Sequence, residues 1–325
     1  MPALVNFALD PDALSEQSGD LLALKMSHER LLRAWEQFGV LVHEGNRWED
    51  SELHARIGRL PTGLKKLWQE SILNNRRAPA GQLWGGIGVV ATDADLGPPP
   101  DLDLVGVQDG RAQALGVGPE EKSKRVGRRG VEVCRFRYVD QADVFNAARE
   151  AASRSIRAGA STAAVWNERF AGLATVARSL RVVDRYALDD HRNRRDGRSG
   201  LRWLCEGLAG AGQLSSVVLF TVPPKGMPLP EADCYARQEM DAMVPKSIGA
   251  IHVWLINEHD AGQYAHDRYV RFDETVVQLG VGLRALAGPT TRVETSCHMK
   301  FGILDERDSE QRLRSVSHSI QVRPV

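Results

Sequence analysis

Hydrophobic side chains in the first part of the chain recur at steps of three and four positions. This spacing predicts an amphipathic helix between Leu21 and Phe38 and a second one from Leu60 to Ile72. Pro61 suits the first turn of the second helix, because proline lacks the N–H that a first turn leaves unbonded. After a short strand at the start, we therefore predict a mainly helical or mixed module over residues 1–175.

The second half of the chain alternates apolar runs with helical patterns. This alternation predicts an α/β domain over residues 176–325, with a sheet covered by helices on both faces. We place the domain boundary near residue 175, inside or just after an alanine-rich helix. The predicted strands are LRVVDRYAL (180–188), SSVVLFTVPP (215–224), AIHVWLI (250–256), YAHDRYVR (264–271) and TVVQLGVG (275–282).

The overall charge of the chain is balanced. Among 325 residues, 42 lysines and arginines offset 42 aspartates and glutamates. No global field therefore draws the protein to nucleic acid or membrane, and such binding must come from local patches. The start, MPALVNFALDPDAL, lacks the pattern of a signal peptide, and no stretch approaches the roughly 18 apolar residues of a membrane helix. We expect a cytoplasmic protein that makes no membrane contact.

The cysteines are isolated from one another in the sequence. They form no C-x2-C pair, so neither a zinc site nor a disulfide framework is indicated. We expect free thiols in a reducing compartment, and neither a metal nor another cofactor. The four are Cys134, Cys205, Cys234 and Cys297.

One short segment carries the residue types of phosphoryl-transfer chemistry. His266, Arg268 and Asp273 have the spacing H-x-R-x4-D, and Gly280 follows after six more positions. On a strand, His266 and Arg268 would share one face about 7 Å apart. An imidazole can attack phosphorus or move a proton, and a guanidinium can hold phosphate oxygens, so this pair suits a phosphate ligand.

This spacing resembles the HKD signature of the phospholipase D superfamily. His266, Asp273 and Gly280 match the signature, whereas Arg268 stands in place of the usual lysine and Leu283 in place of an asparagine. The resemblance is closer to single-motif, phospholipase D-like domains of bacterial proteins. Those domains carry an H-D-R-Y strand and an upstream strand similar to VVDRYAL. The match runs from about residue 179 to the C-terminus and includes a second glycine, Gly282.

The resemblance implies a metal-independent phosphodiesterase, in the context of a bacterial defence or DNA-processing system. The local arginine clusters and the lack of a membrane-binding segment favour a nuclease acting on DNA or RNA over a lipase. The resemblance assigns His266 as nucleophile or acid, Arg268 as phosphate clamp and Asp273 as the carboxylate that holds the imidazole tautomer. The alternative is a catalytically inactive nucleic-acid-binding or scaffolding subunit of a larger complex that keeps the same pocket. With one motif in the chain, the family implies a homodimer that brings two histidines together.

A second stretch, CHMKFGILD, has the spacing H-x-K-x4-D at His298, Lys300 and Asp305. It begins only 32 positions after His266, and Arg312 stands where a glycine would follow. Two interpretations stay open. Either His298 and Lys300 form the polar side of an edge strand, or they reach the first pocket from a neighbouring strand.

Further arginines and lysines lie at positions where a nucleic-acid backbone could be contacted. Arg185 belongs to the sequence Asp184-Arg185-Tyr186 near the end of a predicted strand, and ligands collect at strand ends in α/β sheets. The other basic residues are solvated loop residues or backbone contacts. They are Arg192, Arg194 and Arg195 after that strand, and Lys124, Arg128 and Arg129 in the first module.

Two weaker patterns point to other nucleases. Arg185 and His191 fit the R-x5-H motif of helical HEPN RNases, but the adjacent valines favour a strand. Carboxylates of the first module are ordinary turn residues or, alternatively, part of a two-metal site, and the start VNFALDPDAL faintly resembles that of a PIN-like domain. These carboxylates are Asp10, Asp12, Asp93, Asp95, Asp140 and Asp143.

Overall fold

The computed structural model describes residues 4–15, 21–80, 86–87, 90, 102–127, 130–194, 197–210 and 212–323. The chain forms two compact units that divide between Glu150 and Ala151. The expected boundary near residue 175 is therefore too late. The segment after Ala151 belongs to the second unit because Ile156 forms a β-bridge with Thr295, and the Trp203 indole donates to the Thr162 carbonyl.

The first unit is built on a mixed sheet with the order β3-β2-β1-β4-β6-β5 in its described part. All neighbouring strands are parallel except β5, which runs antiparallel to β6. Of the two expectations for this module, the mixed one is confirmed. The strands are β1 (Val5–Leu9), β2 (Gly39–His43), β3 (Arg77–Pro79), β4 (Leu104–Val107), β5 (Ser123–Val126) and β6 (Val131–Arg135). The helices are α1 (Leu21–Phe38), α2 (Glu52–Gly58), α3 (Thr62–Asn74), α4 (Asp109–Ala114) and α5 (Asp143–Ser153).

Aromatic side chains fill the core between the helices and this sheet. The Phe7 ring makes edge contacts with Trp35 and Phe145, at centroid distances of 6.2 and 5.8 Å. Gly39 joins α1 to β2 directly, and a Cβ there would lie 2.7 Å from the Phe7 ring and 2.8 Å from the Trp35 backbone. Only glycine therefore permits this close turn from helix to strand.

The second unit has a mixed sheet with the order β12-β11-β10-β7-β8-β9-β13 in its described part. Strands β7, β8 and β9 are parallel, and the remaining pairs are antiparallel. The α/β prediction is confirmed. The strands are β7 (Ser179–Val183), β8 (Ser216–Thr221), β9 (Ala250–Leu255), β10 (Tyr269–Phe272), β11 (Thr275–Leu279), β12 (Cys297–Phe301) and β13 (His318–Arg323). The helices are α6 (Thr162–Val165), α7 (Ala171–Val176), α8 (Ala187–Arg192), α9 (Gly200–Gly207), α10 (Leu229–Met243), α11 (Glu258–Tyr264) and α12 (Leu304–Val316).

Short helices of other types complete the described elements. A π-helix, Trp166–Phe170, joins α6 to α7. The 3-10 helices are Pro11–Ser15, Trp48–Asp50, Phe136–Gln141, Leu208–Gly210 and Leu283–Leu286. Across the residues that the structure describes, no helix combines the length and apolar character needed to cross a membrane.

The direction of β10 decides where the motif residues lie. It pairs antiparallel with β7, so that Tyr269 faces Val183 and Phe272 faces Leu180. Residues just before β10 therefore lie at the carboxyl ends of the parallel strands β7–β9, and residues just after it lie at their amino ends. In sheets of this kind ligands gather outside the carboxyl ends.

Candidate functional site

His266 lies on a loop rather than on a strand. Helix α11 continues to Tyr264, and β10 begins only at Tyr269, so the predicted strand over 264–271 is wrong for its first half. The His266 side chain is 86% exposed, and its Nδ1 lies 3.8 Å from a carboxylate oxygen of Asp267. The loop nevertheless places His266 at the carboxyl edge of the parallel strands, next to Arg268.

Asp273 lies at the opposite end of β10 and cannot hold the His266 imidazole. Four strand residues, spanning about 13 Å, separate the two loops. Asp273 forms the β10–β11 turn with a φ of 46°, and its carboxylate accepts hydrogen bonds from the backbone N–H groups of Arg178 and Ser179. The Ser179 hydroxyl donates to it as well. The role assigned to Asp273 by the resemblance is therefore wrong for this chain: the carboxylate fixes a turn.

Arg268, in contrast, lies close to Tyr186 in the upstream segment Asp184-Arg185-Tyr186. Its guanidinium carbon lies 5.1 Å from the centre of the Tyr186 ring, and that of Arg185 lies 4.5 Å from the same ring. Such distances allow cation–π attraction. We call the group formed by Asp184, Arg185, Tyr186, Arg268 and Gly282 the Arg268 cluster.

Asp184 is the buried residue of this cluster, and it binds backbone groups on two segments. It is 3% exposed, and its carboxylate accepts hydrogen bonds from the backbone N–H groups of Tyr186, at 3.1 Å, and Leu283, at 2.8 Å. Burial raises the pKa of Asp184, while these two N–H groups and the charge of Arg268 act in the opposite direction. Asp184 therefore ties the end of β7 to the loop after β11 and supplies a counter-charge for Arg268.

The two motif glycines have different roles. Gly282 has a φ of 75°, and a Cβ on it would lie 2.5 Å from Asp184 Oδ2 and 2.8 Å from Arg268 Cδ. Gly280 instead donates its N–H to the Ser296 carbonyl. Between them, the Val281 carbonyl accepts a 2.9 Å hydrogen bond from Arg268 Nη1. The glycine loop thus sets the position of the arginine.

The backbone and side chain of Arg185 are constrained differently. Its carbonyl accepts hydrogen bonds from Val222 N–H and the Thr221 hydroxyl at the end of β8. Its side-chain Nε is buried and has no hydrogen-bond partner among the described residues. A buried N–H without an acceptor is costly.

Other charged groups surround the cluster. Burial raises the pKa of Asp190, and the charges of Arg284, Arg194 and Arg268 partly offset this effect. Arg192 extends to the Lys225 carbonyl at 3.4 Å. Arg195 lies outside the described residues. Sequence reasoning named Arg185, Arg192 and Arg194, but it missed Arg284, which follows the motif glycines, and it gave no role to the ring of Tyr186.

The second H-x-K-x4-D stretch does not repeat the first. His298 and Lys300 lie on β12 at the sheet edge and are exposed, and Lys300 pairs with Glu306 at 3.7 Å. Asp305 is in the first turn of α12. His298 lies opposite Gln278, which in turn lies opposite Tyr269. This placement matches the edge-strand interpretation, two strands away from β10.

Lys124 lies in the first unit on β5, where its Nζ donates to the Gly116 carbonyl at 3.1 Å. Arg128 and Arg129 lie outside the described residues. Since β5 is the last strand of its sheet, Lys124 is an exposed edge residue of the first unit.

The carboxylates of the first unit do not gather into a metal site within the part of the chain that is described. Asp10 follows β1 and is 1% exposed; one carboxylate oxygen accepts from Asp12 N–H, and the other lies 2.9 Å from Arg111 Nε. Burial raises the pKa of Asp10, and Arg111 opposes this rise. Asp93 and Asp95 lie outside the described residues.

His191 belongs to a chain of polar groups that resembles a hydrolase triad in composition only. Its Nδ1 lies 2.7 Å from the Ser199 hydroxyl and its Nε2 lies 2.9 Å from Glu239. Ser199 is 1% exposed and caps α9 by accepting from Arg202 N–H. A substrate cannot reach a hydroxyl buried in this way, so the chain of hydrogen bonds fastens α8 to α9 and α10.

No protein-family model matches this chain, and no curated protein matches it either. The resemblance to phospholipase D-like domains therefore depends on the motif residues and their placement alone. Of the three residues in the first motif, the structure puts His266 and Arg268 at one edge of the sheet and Asp273 at the other.

Proposed function

We propose that the second unit binds the phosphodiester backbone of a nucleic acid at the Arg268 cluster. The observation that carries this proposal is the placement of two guanidiniums, those of Arg185 and Arg268, against one exposed ring, that of Tyr186, at the carboxyl edge of the sheet. Arginine donors match phosphate oxygens, and an exposed aromatic ring can stack on a base.

This proposal corresponds to the binding subunit rather than to the nuclease. A phosphohistidine mechanism needs an imidazole whose tautomer and direction are fixed. Asp273, the residue that the family resemblance assigns to this task, is engaged in the β10–β11 turn instead. An exposed imidazole on a loop lacks that support.

A histidine-dependent phosphodiesterase is the second candidate. It is favoured by the position of His266, which lies two residues from Arg268 at the same edge of the sheet. In that case the second histidine comes from another copy of the chain, and the active species is a homodimer.

One pair of measurements separates the two candidates. Fluorescence anisotropy with labelled single- and double-stranded DNA and RNA measures binding, and gel analysis of the same oligonucleotides in EDTA measures cleavage. For the binding module, Arg268→Gln should weaken binding about tenfold and reduce the slope of log K against log salt by about one. Arg312→Gln, which changes an exposed arginine on α12, is the matched control.

The cleavage assay has three distinct outcomes. EDTA-resistant cleavage that disappears in His266→Ala but persists in His298→Ala would establish the phosphodiesterase in place of the binding module. Binding without cleavage, with the expected Arg268 effect, supports the binding module. Cleavage that requires Mg²⁺ and survives His266→Ala would transfer the chemistry to carboxylates and overturn both candidates for this site.

A further inference from the structure

A second set of arginines lines a cleft at the other end of the same sheet. The cleft has a volume of about 480 Å³ and lies between the amino-terminal half of β7, the β10–β11 turn and helix α12. Clefts of a few hundred cubic ångströms hold ligands of the size of a nucleotide. Asp273, rather than Arg268, is at this end, so the cleft is separate from the Arg268 cluster.

The floor of the cleft is a buried ion pair. Arg271 donates two hydrogen bonds to the Glu310 carboxylate, at 2.7 and 2.5 Å, and both side chains are almost completely buried. Arg181 donates to the same carboxylate at 3.1 Å. Arg181 and Arg271 are direct partners across β7 and β10, so two like charges face each other over a single carboxylate.

Positive charge at this floor exceeds the negative charge available to it. Arg314 adds a third guanidinium close enough to lower the pKa of Arg181 further, after the larger effect of burial and against the opposing charge of Glu310. Within the described chain Arg314 makes no ion pair and lies 6.0 Å from the centre of the Trp254 ring. Arg181 and Arg271 therefore share Glu310, and Arg314 adds a positive charge that no ion pair offsets among the described residues.

The other carboxylates of the cleft are already engaged. Asp273 directs its oxygens to the N–H groups of Arg178 and Ser179. Glu274 pairs with Arg307 at the exposed rim. Arg181 Nε is buried without a hydrogen-bond partner among the described residues. The cleft thus offers excess positive charge to an incoming anion.

We propose that this cleft binds the phosphate group of a small phosphorylated molecule through Arg181 and Arg314, with the Arg271–Glu310 pair as its rigid floor. The Arg181 side chain is 26% exposed, and a phosphate in the cleft would balance the positive charge of Arg181 and Arg314. This site is independent of nucleic-acid binding at the Arg268 cluster, because the two groups occupy opposite ends of β10.

The test is a titration of the full chain with inorganic phosphate, followed through the arginine Nε–Hε resonances in NMR spectra. Sodium chloride at matched ionic strength is the reference. We expect a saturable shift of the Arg181 resonance with phosphate only. Arg314→Gln should weaken phosphate binding about tenfold, because it removes one of the two positive charges that contact the phosphate.

Two control variants make the result specific to the cleft. Arg312→Gln, on the same helix, and Arg268→Gln, at the other end of the sheet, should both leave the phosphate response of Arg181 unchanged. A response that is equal in chloride, that does not saturate, or that is unaffected by Arg314→Gln would overturn the proposal. Loss of the response in Arg268→Gln would also overturn it, because phosphate would then be bound at the other cluster.

Discussion

The backbone of Gly282 lies so close to the Asp184 carboxylate that a Cβ on Gly282 would come within 2.5 Å of Asp184 Oδ2. The same Cβ would lie 2.8 Å from Arg268 Cδ. The anchor of the cluster, its main arginine and the turn after β11 are therefore packed against one another. None of the three can move without disturbing the others.

Replacing Gly282 should disrupt the Arg268 cluster. Gly282→Ala places a methyl group against Asp184 and forces alanine to adopt a φ of 75°. We expect the free energy of unfolding to fall by about 1–3 kcal/mol and nucleic-acid affinity to fall with it. Chemical denaturation and anisotropy measure the two effects.

Gly280→Ala is the matched control for Gly282→Ala. A Cβ on Gly280 meets only the Ser296 hydroxyl at close range, and a hydroxyl can rotate away. Its effect should be clearly smaller on both measurements. Equal losses in the two variants would contradict the role given to the contact between Gly282 and Asp184.

The ring of Tyr186 should contribute to binding through stacking. Tyr186→Leu removes the ring that Arg185 and Arg268 both contact, whereas Tyr186→Phe keeps it. We expect the leucine variant to lose about tenfold in affinity for single strands, consistent with roughly 1–3 kcal/mol for a stacked base, and the phenylalanine variant to lose little. A loss of affinity in both variants would mean that the Tyr186 hydroxyl, and not the ring, contributes to binding.

Asp273 should matter for stability and not for binding at the Arg268 cluster. Asp273→Ala removes the acceptor for Arg178 N–H and Ser179 N–H and leaves an alanine at a φ of 46°. We expect a loss of about 2–3 kcal/mol in unfolding free energy. The affinity of the folded fraction for nucleic acid should stay unchanged. A folded Asp273→Ala protein that loses binding or cleavage would restore the HKD-type role of Asp273.

The buried pair at the floor of the cleft should be sensitive to the loss of either charge. Glu310→Gln leaves the buried Arg271 and its neighbour Arg181 without a carboxylate, and we expect a loss of about 3–5 kcal/mol in unfolding free energy. Glu274→Gln, which breaks the exposed pair with Arg307, should cost at most about 1 kcal/mol. Urea denaturation compares the two variants. Similar losses of unfolding free energy would contradict the expectation that the buried ion pair matters more than the exposed one.

His28 should make the protein less stable in mild acid. Its ring is completely buried, its Nδ1 accepts a 2.9 Å hydrogen bond from Trp68 Nε1, and burial lowers its pKa from 6.5 to about 4. The unfolded chain then binds a proton that the folded chain excludes. The contribution of neutral His28 to the free energy of unfolding is complete above about pH 6.5. It falls as the pH is lowered toward 4, by roughly 3 kcal/mol in total.

The variant His28→Gln tests this pH dependence. Glutamine can still accept the hydrogen bond from Trp68 but does not titrate. Unfolding free energy, measured by denaturation near neutral pH and near pH 4, should therefore decline less in the variant than in the parent. An identical decline would show that His28 does not govern it.

The sequence by itself determined the α/β character of the second unit. Runs such as VVLF and HVWL, alternating with helical patterns, favour strands of a sheet covered by helices, and each corresponds to an observed strand, β8 or β9. It also identified Arg185 and Arg268 as candidate phosphate contacts, Arg185 near the end of a predicted strand and Arg268 within one. These inferences need only neighbouring residues, which explains why a local pattern could supply them.

Local sequence patterns gave wrong boundaries for some helices and strands. YAHDRYVR alternates like a strand, but α11 begins where Asn257 caps the N–H of Asp260, and its helical hydrogen bonds extend to Tyr264. His266 is consequently left on a loop. The short strands of the first unit, such as Leu104–Val107, were hidden among helical and loop signals because four residues carry little periodicity.

Only the tertiary structure decided which charged residues meet. The antiparallel register of β10 on β7 brings Arg268 to Tyr186 and Asp184, more than 80 positions earlier in the chain, and sends Asp273 to the opposite edge. The same register sets Arg181 beside Arg271 over Glu310. Strand pairing is a long-range choice made by the packing of the whole sheet, so the spacing within one motif could not reveal it.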